Sequence, residues 1–85
     1  MTVCFTPTAL KDYENLSKKD KNIIRRINRL IESIDKEGPL KGIGKPEILR
    51  YVDGYSRRID SQNRLVYRVN KKKITIISCI GHYEK

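Results

Sequence analysis

ILRYVDGYSRRIDSQNRLVYRVNKKKITIISCI, residues 48–80, decides the fold, because apolar and polar side chains alternate along it with a period of two. That spacing belongs to strands with one covered face. Four strands are expected, at residues 48–52, 56–60, 64–69 and 73–80. Asp53-Gly54, residues 60–63 and Asn70-Lys71-Lys72 supply the turns between them. The segment reads as an antiparallel β-meander.

Upstream the period changes. In residues 19–36, Ile23, Ile27, Leu30, Ile31 and Ile34 recur at three- and four-residue steps and line one face of the longest helix. Arg25, Arg26 and Arg29 lie among the outward residues, as solvated surface or as phosphate contacts. A shorter helix is expected at residues 8–16, with Ala9, Leu10, Tyr13 and Leu16 as its apolar stripe. Pro7 fits its first turn and Thr6 its cap. Residues 3–6 form a short β-prone opening. Gly38-Pro39 ends the long helix, and the loop GPLKGIGKPE leads into the sheet. It lacks the lysine-serine/threonine ending of a phosphate-binding P-loop. The order is α+β: a short N-terminal strand, two helices, then the meander, with both helices on one face of an antiparallel sheet. Residues 1–85 make one domain.

A domain of 85 residues buries roughly 60–65% of its unfolded surface, so function belongs on an open face rather than in a deep pocket. Nineteen Lys and Arg against ten Asp and Glu give a net charge of +9. The charge is uneven, +3 over residues 1–44 and +6 over residues 45–85. A basic half suits a polyanion such as nucleic acid, an anionic membrane or an acidic protein tail. Excess lysine also serves plain solubility. No apolar run approaches the roughly 20 residues of a membrane span. The opening MTVCFTPTAL does not read as a signal peptide, so a cytoplasmic protein with reduced Cys4 and Cys79 is expected. Those cysteines lack metal-ligand spacing and read as small buried hydrophobes; no metal and no cofactor is expected.

Parity connects the strands to chemistry. Leu65, Tyr67 and Val69 alternate with Arg64, Val66 and Arg68. If the first set faces the helices, Arg64 lies on the open face. Arg58 precedes the apolar Ile59 and should point the same way as Arg64. The two sit opposite one another if the connecting loop holds an odd number of residues, or if a bulge intervenes. Converging guanidinium groups bind phosphate oxygens through paired hydrogen bonds. Surface pairing with Asp53 or Asp60 is the plainer alternative. Cutting RNA without a metal needs a base for the 2′-hydroxyl, cations for the transition state and an acid for the leaving oxygen. Glu47, Arg58, Arg64, His82 and Tyr83 are the residue types at hand. Three of them also have plainer readings: an exposed loop carboxylate for Glu47, a tail residue for His82 and a packing aromatic for Tyr83. Spacing alone stops at a basic α+β domain that suits RNA.

Three motifs in order go further. Residues 42–49, GIGKPEIL, resemble the GxGKPExL segment of YoeB/Txe toxins in the RelE/ParE superfamily. Tyr55-Ser56-Arg57-Arg58-Ile59 followed by Asn63-Arg64-Leu65-Val66-Tyr67 resembles that family's WSRRI…HRLVY block, and His82-Tyr83 its terminal pair. No gap is needed between Gly42 and Tyr83, and only the first eighteen residues match loosely. The resemblance implies a ribosome-dependent endoribonuclease that cuts mRNA in the decoding site and leaves a cyclic or 3′-phosphate end. It implies Glu47 as general base, His82 as general acid and Arg64 as the arginine stabilising the transition state. Arg58 falls near the scissile phosphate. Arg50 stands where relatives have a substrate-orienting lysine, and Tyr83 on an aromatic that places the message. The implied partners are ribosome, mRNA and a YefM/Phd-like antitoxin with a disordered acidic tail, and a homodimer is compatible. Tyr55 replaces the usual Trp, Glu84-Lys85 extend past a tyrosine that is often terminal, and Arg50 is not geometrically equivalent to lysine. Two rival readings remain: a gyrase-poisoning toxin of the same superfamily, and a non-catalytic RNA-binding module.

Overall fold

In the computed structural model, which describes residues 1–81, Thr6 caps the first helix as its place before Pro7 predicts. Its Oγ1 accepts from the Ala9 amide at 3.1 Å and donates to the Ile77 carbonyl at 2.9 Å. The cap thus starts α1 (Pro7–Lys19) and ties it to the sheet at Ile77. Asp20 then serves two helices. Its extended backbone breaks the chain, and its amide donates to the Leu16 carbonyl at 3.0 Å. Its carboxylate accepts from Asn22 N at 2.8 Å to open α2 (Lys21–Glu37). The first helix is therefore longer than residues 8–16, and the second starts after Lys19. Gly38 closes α2 at φ +94°, its amide donating to the Ile34 carbonyl.

The strands are β1 (Thr2–Phe5), β2 (Glu47–Ile48), β3 (Tyr55–Arg58), β4 (Arg64–Asn70) and β5 (Lys73–Ser78). β2 is much shorter than residues 48–52, because the Leu49 amide donates to the Gly54 carbonyl and folds the following residues into a loop. β3 begins and ends earlier than expected. Ile59 and Asp60 both donate to the Asn63 carbonyl, which closes the hairpin beyond Arg58. β5 stops at Ser78, short of residue 80.

The spatial order is β1-β5-β4-β3-β2. β2 through β5 form the antiparallel meander. β1 lies parallel to β5, with Val3 beside Ile74 and Phe5 beside Ile76, so the sheet is mixed rather than wholly antiparallel. One buried cluster joins Ala9 and Leu16 of α1, Ile27, Leu30 and Ile34 of α2, and Leu65, Tyr67, Ile74 and Ile76 of the sheet. Cross-strand neighbours Tyr67 and Ile76 share a face, as period-two alternation requires. Leu10, expected in the α1 stripe, is 48% exposed; Ala9 and Leu16 are the residues α1 buries.

Cys79 belongs to the same cluster and is fully buried. Its amide donates to Asp12 Oδ2 at 3.0 Å. Burial first, and the Asp12 charge second, push its thiol up to about 12 from an ordinary 9.0. Below pH 9 this contribution to stability is intact. As pH rises towards 12 the unfolded chain ionises first and the contribution is lost. We expect urea unfolding to show stability falling over that window by up to about 4 kcal/mol on this account. Cys79→Ala should show a shallower alkaline slope; equal slopes would contradict it.

Candidate functional site

The turn at residues 59–63 holds an odd number of residues, and β3 and β4 pair with Arg58 directly opposite Arg64. Glu47 pairs with Ser56, and Ser56 with Val66. Residues in register share a face, so Glu47, Ser56, Arg58 and Arg64 lie together on the sheet face opposite Leu65 and Tyr67. The parity expected for the two arginines holds. Its companion, that Arg64 is open to solvent, does not. Arg58 is exposed, but Arg64 is 6% exposed, and Ser56 and Val66 are fully buried.

The reason lies in what Arg64 touches. Its Nε donates to Ser56 Oγ at 3.2 Å, and its Nη2 donates to Glu47 Oε1 in an ion pair. These two acceptors draw the guanidinium along the sheet towards β2 instead of out into water. The two nearby carboxylates each have contacts of their own. Asp53 pairs with Arg68 at 3.6 Å. The Asp60 carboxylate accepts from the Gln62 and Asn63 amides at 2.8 and 2.7 Å within the turn.

Electrostatically the cluster is tight. Burial, and then the neighbouring Arg58 charge, hold the Arg64 guanidinium below its ordinary 12.5. Like charges directly opposite each other on adjacent strands are unfavourable, by roughly 0.2–1 kcal/mol. Glu47 offsets part of that through its ion pair with Arg64. The Arg58 carbonyl meanwhile accepts from Arg26 Nη2 at 3.1 Å, so α2 braces the end of β3. Two cations opposite one another in register, with one carboxylate paired to Arg64, suit a phosphodiester and a group to deprotonate its neighbour.

Of the other residues expected here, Arg50 stands exposed in the loop between β2 and β3. His82 and Tyr83 lie outside the described residues. Ser56, which sequence reasoning passed over, orients Arg64; its signal was available, since it shares the parity of Arg58. Arg57 was read only as part of a motif. It is fully buried on the core face, a place that its shared parity with Ile59 would have given. Among the described residues no group of three His, Cys, Asp or Glu side chains is placed to hold a metal ion. No described helix is long and apolar enough to cross a membrane.

Residues 5–83 match the YoeB-like toxin of bacterial type II toxin-antitoxin system. The Toxin YoeB of Synechocystis sp. is 44% identical over 87 residues, with 100% of each chain covered. The YoeB dimer from Staphylococcus aureus superposes with a TM-score of 0.92 at 46% identity, covering 98% of both chains. The toxin in the heterotetrameric YoeB-YefM complex from the same organism gives 0.90 at 46% identity, again covering 98% of both. The chain belongs to the YoeB family of toxins of type II toxin-antitoxin systems.

Proposed function

We propose that this toxin is a ribosome-dependent endoribonuclease that cleaves mRNA in the decoding site without a metal or other cofactor. The observation that carries the reading is the Glu47–Arg64 pair, with Arg64 buried and Arg58 directly opposite it on one sheet face. In this scheme Glu47 takes the proton from a ribose 2′-hydroxyl, and the oxygen attacks the adjacent phosphorus. Arg64 and Arg58 bind the non-bridging oxygens as charge builds on them. The P–O bond to the following nucleotide breaks, and His82 delivers a proton to the departing 5′-oxygen. The product ends in a 2′,3′-cyclic phosphate. Arg50 steers the message by charge, and Tyr83 places a base by stacking.

The ion pair with Arg64 engages the Glu47 carboxylate and weakens it as a base. Activity on free RNA is accordingly poor, and the ribosome supplies the substrate geometry, a contribution of several kcal/mol or more. The +9 charge suits ribosomal RNA, and it equally suits the acidic tail of a YefM-like antitoxin in the cytoplasm. The Staphylococcus aureus relatives support that antitoxin and a homodimer as partners.

The test is cleavage of a defined message on programmed ribosomes. Wild type should cut. His82→Ala and Glu47→Gln should each lose about 10²–10⁴-fold while still binding ribosomes. A Glu47→Gln variant as active as wild type would sink the general-base role. A folded wild type that leaves the message intact but damages DNA in cells would favour the gyrase reading instead.

A further inference from the structure

The loop at residues 38–46 has little secondary structure of its own, yet it must deliver Glu47 to the sheet. Its carbonyls are held mainly by two side chains from the opposite face of the sheet. Arg57 Nη2 donates to the Gly38 carbonyl at 2.8 Å and the Lys41 carbonyl at 2.6 Å. Its Nη1 donates to the Ile43 carbonyl at 2.8 Å and to Ser33 Oγ at 2.9 Å. Its Nε donates to Tyr67 Oη at 2.9 Å, and that hydroxyl donates to the Pro39 carbonyl at 2.6 Å. A guanidinium has five N–H donors, and here all five have acceptors. Ser33 Oγ also accepts from the Ile43 amide at 3.3 Å.

A fully buried arginine is costly unless its hydrogen bonds are complete. Among the described residues no carboxylate accepts directly from Arg57; two hydroxyls and three peptide carbonyls, including the one at the negative C-terminal end of α2, do. An apolar side chain would fill the same core space without that cost. What Arg57 adds is a fixed path for the loop. β3 then carries two functions by alternation. Arg57 points to the core and grips the loop, while Ser56 and Arg58 point to the site. The last bond of the path lies next to the site itself, where the Arg58 amide donates to the Gly44 carbonyl at 2.7 Å.

We infer that Arg57 and Tyr67 are positioning residues, which fix the loop at residues 38–46 so that the Glu47 carboxylate meets Arg64. The catalytic consequence rests on the endoribonuclease reading; the structural one does not. Neither side chain touches the substrate face, so both act through Glu47.

The experiment compares full-length wild type, Tyr67→Phe and Arg57→Lys by three readouts. Tyr67→Phe keeps the ring and removes only the hydroxyl, so it is the variant most certain to fold. Arg57→Lys keeps the charge but has three donors for five acceptors. Amide hydrogen exchange should quicken selectively in residues 38–46 relative to β5 in both variants. The Arg64 Nε–H resonance, on the far face, should shift in both. On programmed ribosomes kcat should fall about 10- to 100-fold with KM nearly unchanged, as a displaced catalytic group predicts. Exchange that quickens uniformly, or an unmoved Arg64 resonance, would overturn the inference and leave Arg57 and Tyr67 as ordinary core residues. If wild type itself does not cleave, the endoribonuclease reading fails, and exchange and the Arg64 resonance still decide the clamp.

Discussion

Replacing Arg64 with lysine is expected to cost about 10²–10³-fold in message cleavage, nearly as much as replacing it with methionine, because geometry matters here as well as charge. Arg64 holds Ser56 Oγ through Nε and Glu47 through Nη2, two acceptors on different strands. A lysine ammonium is a single point on a flexible stem and cannot span both with fixed geometry. It would keep the charge near Glu47 yet lose the orientation towards a phosphate lying between β3 and β4.

Stability should respond differently from activity. Removing one partner of a fully buried ion pair costs about 3–5 kcal/mol. Glu47 is 28% exposed, so water can solvate it when Arg64 is lost, and the cost shrinks. Relief of the repulsion from Arg58 offsets part of the rest. Arg64→Met should therefore lose only about 1–2 kcal/mol, while cleavage falls by orders of magnitude. Urea unfolding and ribosomal cleavage of the same preparations check both halves. An Arg64→Lys variant retaining more than about a third of wild-type kcat would show that charge alone suffices.

How much of this was legible beforehand divides along physical lines. Period-two alternation located the meander, and the 3.6-residue stripe Ile27-Leu30-Ile34 located the face of α2 that is buried. Both are local signals with one covered face. The parity of Arg58 and Arg64 followed from alternation once the turn between them was seen to hold an odd number of residues. Strand ends were less legible, because Gly54 and Asn63 accept hydrogen bonds that terminate β2 and β3 from a distance no periodicity reports. The parallel pairing of β1 with β5 is a contact across almost the whole chain and left no local mark. The burial of Arg57 and Arg64 was missed for a different reason. Charged residues are almost never buried unless paired, and their acceptors, a set of loop carbonyls for one and Glu47 with Ser56 for the other, come from separate elements. The motif resemblance reached Glu47 and Arg64 without explaining why they meet.

The second large effect is expected at Gly44, where alanine should unfold the protein far more readily than alanine at Gly38. Both glycines have positive φ, +88° and +94°. At Gly38 an added Cβ meets nothing within 4 Å, so Gly38→Ala suffers backbone strain alone, about 1–3 kcal/mol. At Gly44 the same atom would lie 2.6 Å from Leu30 Cδ2, 3.1 Å from Arg57 Cβ and 3.4 Å from the Arg58 carbonyl. Leu30 is fully buried in the core and cannot swing away freely. Overpacking of that kind adds about 1–3 kcal/mol to the strain. In a domain of this size each kcal/mol moves Tm by about 4–8 °C, so thermal unfolding should separate the two variants clearly. The close approach also has a functional side. Gly44 lets the loop lie against α2 and β3 only three residues before Glu47, and its carbonyl accepts from the Arg58 amide. A Gly44→Ala protein examined below its lowered Tm should therefore remain poor in cleavage, whereas Gly38→Ala, strained but unobstructed, should keep most of its activity. Equal Tm losses in the two variants would mean that Leu30 yields to the new methyl and that the loop is not seated as tightly as its distances require.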